Sequence, residues 1–402
     1  MVYLDNSATT RQYDEVTELM AKVARESFGN PSSLHSAGLD SEKIVKSARS
    51  QVAKALGCRP DEIFFTSCGT ESDNTVLMSQ ALKRNVGKRI ITTKVEHPAI
   101  LEPCKRLEEM GLEVIYLDVD KNCQISLKEL RNAINEDTLL ISVMTVNNEV
   151  GALMPIHEIA KIKDEFNREH KTKVLLHTDA VQAVGKVEIN LKGNLRGVDF
   201  LSASAHKFHG PKGMGILYVN KEGNGANLRP FMLGGGQEKG FRSGTENVPG
   251  IAGTGLAIEM VTKNLASRIV TMYNLRDRLI EGLKNNIDKI EIHPSIDADK
   301  SENFFGVCPS VLNVSFLGTR GEVILHTLEK DGIYVSTGSA CSSNHKSSKG
   351  SHVLNAMGLS FSEIEGAIRF SFSEFNTPEE IDYTIDAITK AVTKFRKLGS
   401  FR

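Results

Sequence analysis

The chain has 402 residues, 40% hydrophobic and 25% charged, with 49 basic against 50 acidic side chains. A formal net charge of -1 gives no electrostatic reason to expect nucleic acid or an anionic membrane as partner. Nowhere do 18 apolar residues run together to cross a bilayer. The length points to two or three domains with cores large enough to need no staples. Met1-Val2-Tyr3-Leu4-Asp5 lacks the basic-then-apolar look of a signal peptide. Cysteines 58, 68, 104, 123, 308 and 341 show no CxxC or paired His spacing, so neither a disulfide scaffold nor a metal site is expected. Reducing cytoplasm, where a thiol stays reactive, is the expected compartment.

In chain order, the spacing predicts a helix from about Ser41 to Leu56, with Ile44, Ala48, Val52 and Ala55 on one face and Gly57 as its stop. Six apolar runs follow at Ile63–Phe65, Arg89–Ile91, Val114–Tyr116, Leu139–Ser142, Val174–Leu176 and Asp199–Leu201, most of them separated by helix-length segments. That is the pattern of an α/β chain with a mainly parallel central sheet flanked by helices, whose ligand sits beyond the carboxyl ends of the strands. After about Met260 the texture changes to a long amphipathic helix, a strand at Leu312–Phe316, and a last helix opened by the capping box Thr377-Pro378-Glu379-Glu380. This reads as a smaller α+β C-terminal domain. The polar stretch from Ser342 to Ser351, directly after Cys341, is its only long polar loop.

Several positions carry candidate chemistry. Ser204-Ala205-His206-Lys207 closes a strand before a glycine-rich turn and a short strand at Gly215–Val219. Lys207 is either a surface lysine before a hairpin or the amine that binds an aldehyde cofactor as a Schiff base. Asp179, just past a buried run, either caps a helix or pairs with a pyridinium nitrogen, and Gln182 is three residues on. Phe64 to Asp73 passes from strand through Gly69 to helix, with Thr70 and Asp73 at N-cap spacing; such a start is an ordinary cap or a phosphate site. His97, in a loop before Pro98, is a candidate for stacking on a flat ring or moving a proton. Taken together these residues ask for a flat, phosphorylated, nitrogen-containing aldehyde.

On these residues the chain resembles the cysteine desulfurases of the NifS/IscS type, within the class V (fold type I) aminotransferase group. The likeness extends from Tyr3-Leu4-Asp5-Asn6 through Phe28-Gly29-Asn30-Pro31, Val146-Asn147-Asn148-Glu149 and Gly234-Gly235-Gly236-Gln237. It continues through Arg242-Ser243-Gly244-Thr245 to Gly338-Ser339-Ala340-Cys341-Ser342-Ser343. It implies three parts: residues 1–14 packing with the small domain, a large pyridoxal 5'-phosphate domain over 15–260, and a small domain over 261–402 whose cysteine loop spans about 338–352.

The resemblance also implies roles. Lys207 forms the Schiff base and shuttles the Cα proton, Asp179 pairs with the ring nitrogen, Gln182 contacts the ring oxygen, and His97 stacks on the ring. Gly69, Thr70, Ser204 and His206 form the phosphate site, and Thr245 reaches the phosphate of a neighbouring subunit, making a homodimer part of the site. Asn148 and Arg369 hold the substrate carboxylate, the planar guanidinium matching it bidentately. L-Cysteine then loses its sulfur to the Cys341 thiolate, leaving a persulfide and alanine. An ordinary free thiol is only a few per cent ionised at neutral pH, so His97, His345 or the substrate takes its proton.

A flexible loop of ten residues spans on the order of 17 Å, enough to carry the persulfide toward an acceptor such as an iron–sulfur scaffold or a tRNA-thiolation protein. Cys58, Cys104, Cys123 and Cys308 read as core residues. Departures from the family pattern are Cys68 where glycine is customary, for which a silent role is expected, Ser7 for alanine, Arg11 for proline, and Ser371-Phe372-Ser373-Glu374 for Ser-Leu-Gly. The alternatives are a selenocysteine lyase or class V transaminase, which would need no thiol in a loop, and a non-catalytic sulfur-transfer scaffold, which would need neither Lys207 nor Cys341.

Overall fold

The computed structural model describes residues 1–82, 88–222, 228–295, 305–337 and 350–399. Cys341, His345 and most of the cysteine loop lie outside them. The chain opens with β1 (Val2–Tyr3), α1 (Asp14–Glu26) and α2 (Ser36–Leu56). Strands β2 (Ile63–Thr66), β3 (Arg89–Thr93), β4 (Glu113–Leu117) and β5 (Thr138–Ser142) alternate with α3 (Gly69–Ala81), α4 (Pro98–Glu109) and α5 (Leu127–Ala133). There follow α6 (Ile156–His170), β6 (Leu175–Asp179), β7 (Phe200–Ser204), β8 (Gly215–Val219), α7 (Val248–Lys263) and α8 (Leu265–Asn286). The C-terminal part holds β9 (Ile290–His293), β10 (Val311–Phe316), α9 (Gly321–Lys330), β11 (Ile333–Tyr334), α10 (His352–Ala356), α11 (Phe361–Glu365), β12 (Ala367–Ser371) and α12 (Pro378–Lys397).

Seven strands form the main sheet in the order β2-β8-β7-β6-β5-β3-β4. All run the same way except β8, which is antiparallel to both its neighbours because the short turn after Lys207 folds it straight back on β7. The runs are apolar throughout because both faces are covered. Phe65, Ile91, Ile141, Leu176, Leu201 and Ile216 enter the cluster under α1, α2 and α7. Their neighbours Phe64, Ile90, Leu140, Leu175, Phe200 and Leu217 enter the opposite cluster under α3 and α4. Successive side chains point to opposite faces, so a doubly covered strand has no polar alternation.

A second core is built on the antiparallel sheet β12-β10-β9, with α8, α9 and α12 against it. The N-terminal segment joins the two. β1 pairs with β11, and Leu4 and Asn6 bond the backbone at Tyr334 and Ser371. Further on, Thr10 N donates to His206 O and Tyr13 N to His209 O.

Two local expectations change. Helix α2 begins at Ser36, five residues before Ser41, because the His35 ring accepts from Gly38 N at 3.3 Å and caps an earlier turn. Helix α3 begins at Gly69 with Cys68 at the cap, so Thr70 lies inside the first turn. Asp73 does not cap; it is turned into the core toward His177.

Candidate functional site

The carboxyl ends of the parallel strands deliver most of the sequence-predicted residues to one place. A cavity of about 290 Å³ is lined by Gly69, Thr70, His97, Asn148, Asp179, Gln182, Ser204, His206, Lys207 and Arg369, together with Cys68 and Asp73. Thr245 is not among them. It lies exposed in a separate cavity of about 210 Å³ with Arg242 and Glu246.

Lys207 Nζ donates to the carbonyls of Ser7 at 2.5 Å and Ala8 at 2.9 Å, so the N-terminal segment holds the amine over the cavity. Asp179, the last residue of β6, accepts from Val181 N at 2.8 Å; no helix follows it, and the chain turns instead. Burial raises its carboxyl to about 6, against the pull of the Val181 N–H and of Lys207. A cation at the ring-nitrogen position would return it to the ionised form.

His97 caps α4, accepting from Ala99 N on Nδ1 at 3.1 Å, which leaves its proton on Nε2. Burial, then Lys207 and His352, push it down to about 4, so the ring is neutral at pH 7. His206 is likewise pushed to about 4, by burial and then by Lys207, Lys212 and Lys186, with Nδ1 3.1 Å from Thr9 Oγ1.

The start of α3 forms the end of the cavity by Ser204, and the first N–H groups of a helix have no partner within it. Cys68 fits without strain, its φ of -171° and ψ of 171° being extended backbone. β8 runs directly beneath: a Cβ on Gly215 would stand 2.5 Å from the carbonyl of Cys68, a distance only glycine permits. Arg369 leaves β12 and donates to Asn148 O at 3.0 Å and to Asp5 at 2.9 Å.

Sequence reasoning missed the groups behind these. Asp73 has an Oδ1 with no hydrogen-bond partner among the described residues, 3.5 Å from His177 Nε2. His177 is bracketed by Ser142 at 2.9 Å and Ser202 at 3.0 Å, and burial lowers it to about 3. Beside the Lys207 turn, Glu374 pairs with Arg268 at 2.8 Å and His209 at 3.4 Å and accepts from Tyr13. The departure at Ser373-Glu374 was the signal for that cluster. Asp73 and His177 gave none, since an acidic residue early in a helix ordinarily faces solvent.

A lysine, a buried carboxylate opposite, a neutral flat imidazole and a helix start suited to phosphate together fit pyridoxal 5'-phosphate. The orphaned Asp73 oxygen and the raised Asp179 are what a site built around a cationic ring would leave. Among the described residues no cluster of three His, Cys, Asp or Glu could hold a metal ion, and no helix is long and apolar enough to cross a membrane.

The family profile described as Aminotransferase class-V matches residues 2–384. "Cysteine desulfurase IscS" of Dictyoglomus turgidum is 42% identical over 402 residues, covering 100% of this chain and 97% of its own. Among solved structures, a "NIFS-like protein" is 41% identical with a TM-score of 0.87, covering 98% of this chain and 99% of its own. One titled "SspA in complex with cysteine" is 31% identical with a TM-score of 0.77, covering 94% of this chain and 100% of its own.

Proposed function

The chain belongs to the class-V aminotransferase family, and from that premise we propose that its cavity removes sulfur from L-cysteine, releases L-alanine and leaves a persulfide on Cys341. It is a pyridoxal-phosphate-dependent enzyme of the cysteine desulfurase type. The observation that carries the reading is the convergence of Lys207, Asp179 and Arg369 on one cavity.

Asp179 and Lys207 would hold opposite ends of the cofactor's ring system, His97 its face, Gln182 its oxygen, and Gly69, Thr70, Ser204 and His206 its phosphate. When bound, the cofactor supplies an electron sink for the charge left at the substrate Cα. Arg369 and Asn148 bind the substrate carboxylate. Lys207 takes the Cα proton, for which its tether to the Ser7 and Ala8 carbonyls fixes its position. Cys341, as thiolate, attacks the substrate sulfur: an S–S bond forms, the Cβ–S bond breaks, one proton completes the alanine methyl group, and Lys207 returns a proton to Cα. Neutral His97, its Nδ1 lone pair taken up by Ala99 N, suits stacking on the ring and leaves the thiol proton to the substrate or to His345.

The reading extends to a homodimer, with the exposed Thr245 turned to the partner's cofactor, to the three-part division at about 14 and 260, and to a cytoplasmic enzyme that passes its persulfide to an acceptor protein. The continuous pairing of residues 2–6 with β11 and Ser371 supports assigning that segment to the C-terminal unit. Borohydride reduction of the cofactor-loaded chain followed by peptide mass mapping tests the site. A pyridoxyl tag on Lys207 is the expected result, and a tag on any other lysine overturns the assignment.

A further inference from the structure

Gln182 has a second neighbour that the chemistry above does not use. After Asp179 the chain makes a tight turn, with Ala183 N bonding Ala180 O and Lys186 N bonding Ala183 O. Gly185 allows it at φ 75°, in a space where a Cβ would meet Val261 at 2.9 Å. The turn carries Lys186 beneath the cavity, only 4% exposed, with Nζ 2.6 Å from Gln182 Oε1. Gln182, 5% exposed, gives Nε2 to Ser7 O at 2.9 Å, the same carbonyl that holds Lys207 Nζ at 2.5 Å. Lys186 itself does not line the cavity.

The two neighbours leave the amide one orientation. An ammonium only donates and a carbonyl only accepts, so Oε1 must face Lys186 and the NH₂ group must face Ser7 and the cavity. Reversing the amide would set NH₂ against the amine and oxygen against oxygen. Burial pushes Lys186 down to about 7, and with or without its last proton the amine still has hydrogens to give.

We infer that Lys186 is a positioning residue: it locks the Gln182 amide so that Nε2 presents a hydrogen-bond donor to the cofactor's ring oxygen, on the same carbonyl that tethers Lys207. This rests on the proposed contact of Gln182 with that oxygen. One N–H of Nε2 is used by Ser7, and the other is the donor held toward the cavity. Without Lys186 the buried Oε1 loses its donor, and only the Ser7 carbonyl still opposes a reversal that would put an acceptor where the ring oxygen needs a donor.

The test is a double-mutant cycle on the full chain, stripped of pyridoxal 5'-phosphate and reloaded. Q182A, K186M and the double variant are compared by cofactor Kd and by the pH midpoint of the visible absorbance band, with melting curves as the folding control. Losing one neutral hydrogen bond weakens binding roughly three- to tenfold. Q182A and K186M are each expected to show that loss and a displaced midpoint, and the double variant no more than Q182A alone. Multiplying losses in the double variant, or a normal K186M beside an impaired Q182A, overturns the positioning role. An unimpaired Q182A overturns the Gln182 contact itself, and the inference with it. Should K186M fail to fold, K186Q takes its place: its amide ends one bond short of Oε1, and its loss of about threefold must likewise vanish in the Q182A background.

Discussion

Glu374 offers the sharpest energetic consequence of the fold. Its carboxylate sits where three parts of the chain meet: Tyr13 in the N-terminal segment, His209 two residues past Lys207, and Arg268 on α8. Burial alone would raise its pKa, but the His209 bond, Arg268 and Tyr13 overcome that and hold it at about 2, against 4.5 for the free group. The folded value is depressed, so the stabilisation is present above about 4.5 and lost as pH falls toward 2. At 1.36 kcal/mol per pH unit the difference is worth about 3 kcal/mol at neutral pH. The side chain is 22% exposed, so solvent screening removes only part of this.

E374Q keeps the shape and removes the charge. With an unfolding entropy of about 0.8 kcal/mol/K for a chain of this length, its melting temperature is expected to fall by about 4 °C at pH 7. The gap to wild type narrows as the pH is lowered from 5 toward 3. Differential scanning fluorimetry across that range reads both. Equal melting temperatures at pH 7, or a gap that stays constant to pH 3, would refute the assignment of the depressed carboxylate to Glu374.

Three further outcomes follow from the site. R369M removes the guanidinium proposed to hold the substrate carboxylate and should raise KM for L-cysteine by roughly 10- to 100-fold, the worth of one charge-assisted bond, with cofactor absorbance unchanged; steady-state kinetics checks it. In the cofactor-free chain the His97 ring should titrate near 4, so that it opposes folding only below its ordinary 6.5. An NMR midpoint near 6.5 would show the ring to be solvated. G215A places a methyl against the Cys68 carbonyl and should cost about 1–3 kcal/mol of stability while weakening cofactor binding, both measurable by melting with and without pyridoxal phosphate.

The sheet was legible because burial on both faces writes each strand as an unbroken apolar run, as in Leu175-Leu176 and Phe200-Leu201. Residues at strand ends were legible for a related reason: Asp179 closes the strand that begins with Leu175-Leu176, and Lys207 lies just past the end of the strand that begins with Phe200-Leu201, where ligands collect. Helix starts were less so. Ser36 and Gly38 give no apolar period, and His35 is an uncommon cap, so α2 looked shorter than it is. The supporting polar groups were hidden. Asp73 has the spacing of a capping residue, yet the strands beside α3 bury it against His177. Lys186 and Gln182 are four apart, but a turn rather than a helix brings them together. Cys341 was legible from its segment alone, in residues outside those the structure describes.

The most direct test is alanine and sulfide release from L-cysteine, with a thiol reductant, by the cofactor-loaded wild type and C341S. Turnover in wild type and none in C341S is the expected result, with the visible cofactor band intact in both. Equal turnover in the two proteins would contradict the persulfide on Cys341 and turn attention to Cys68, whose thiol belongs to the cavity lining.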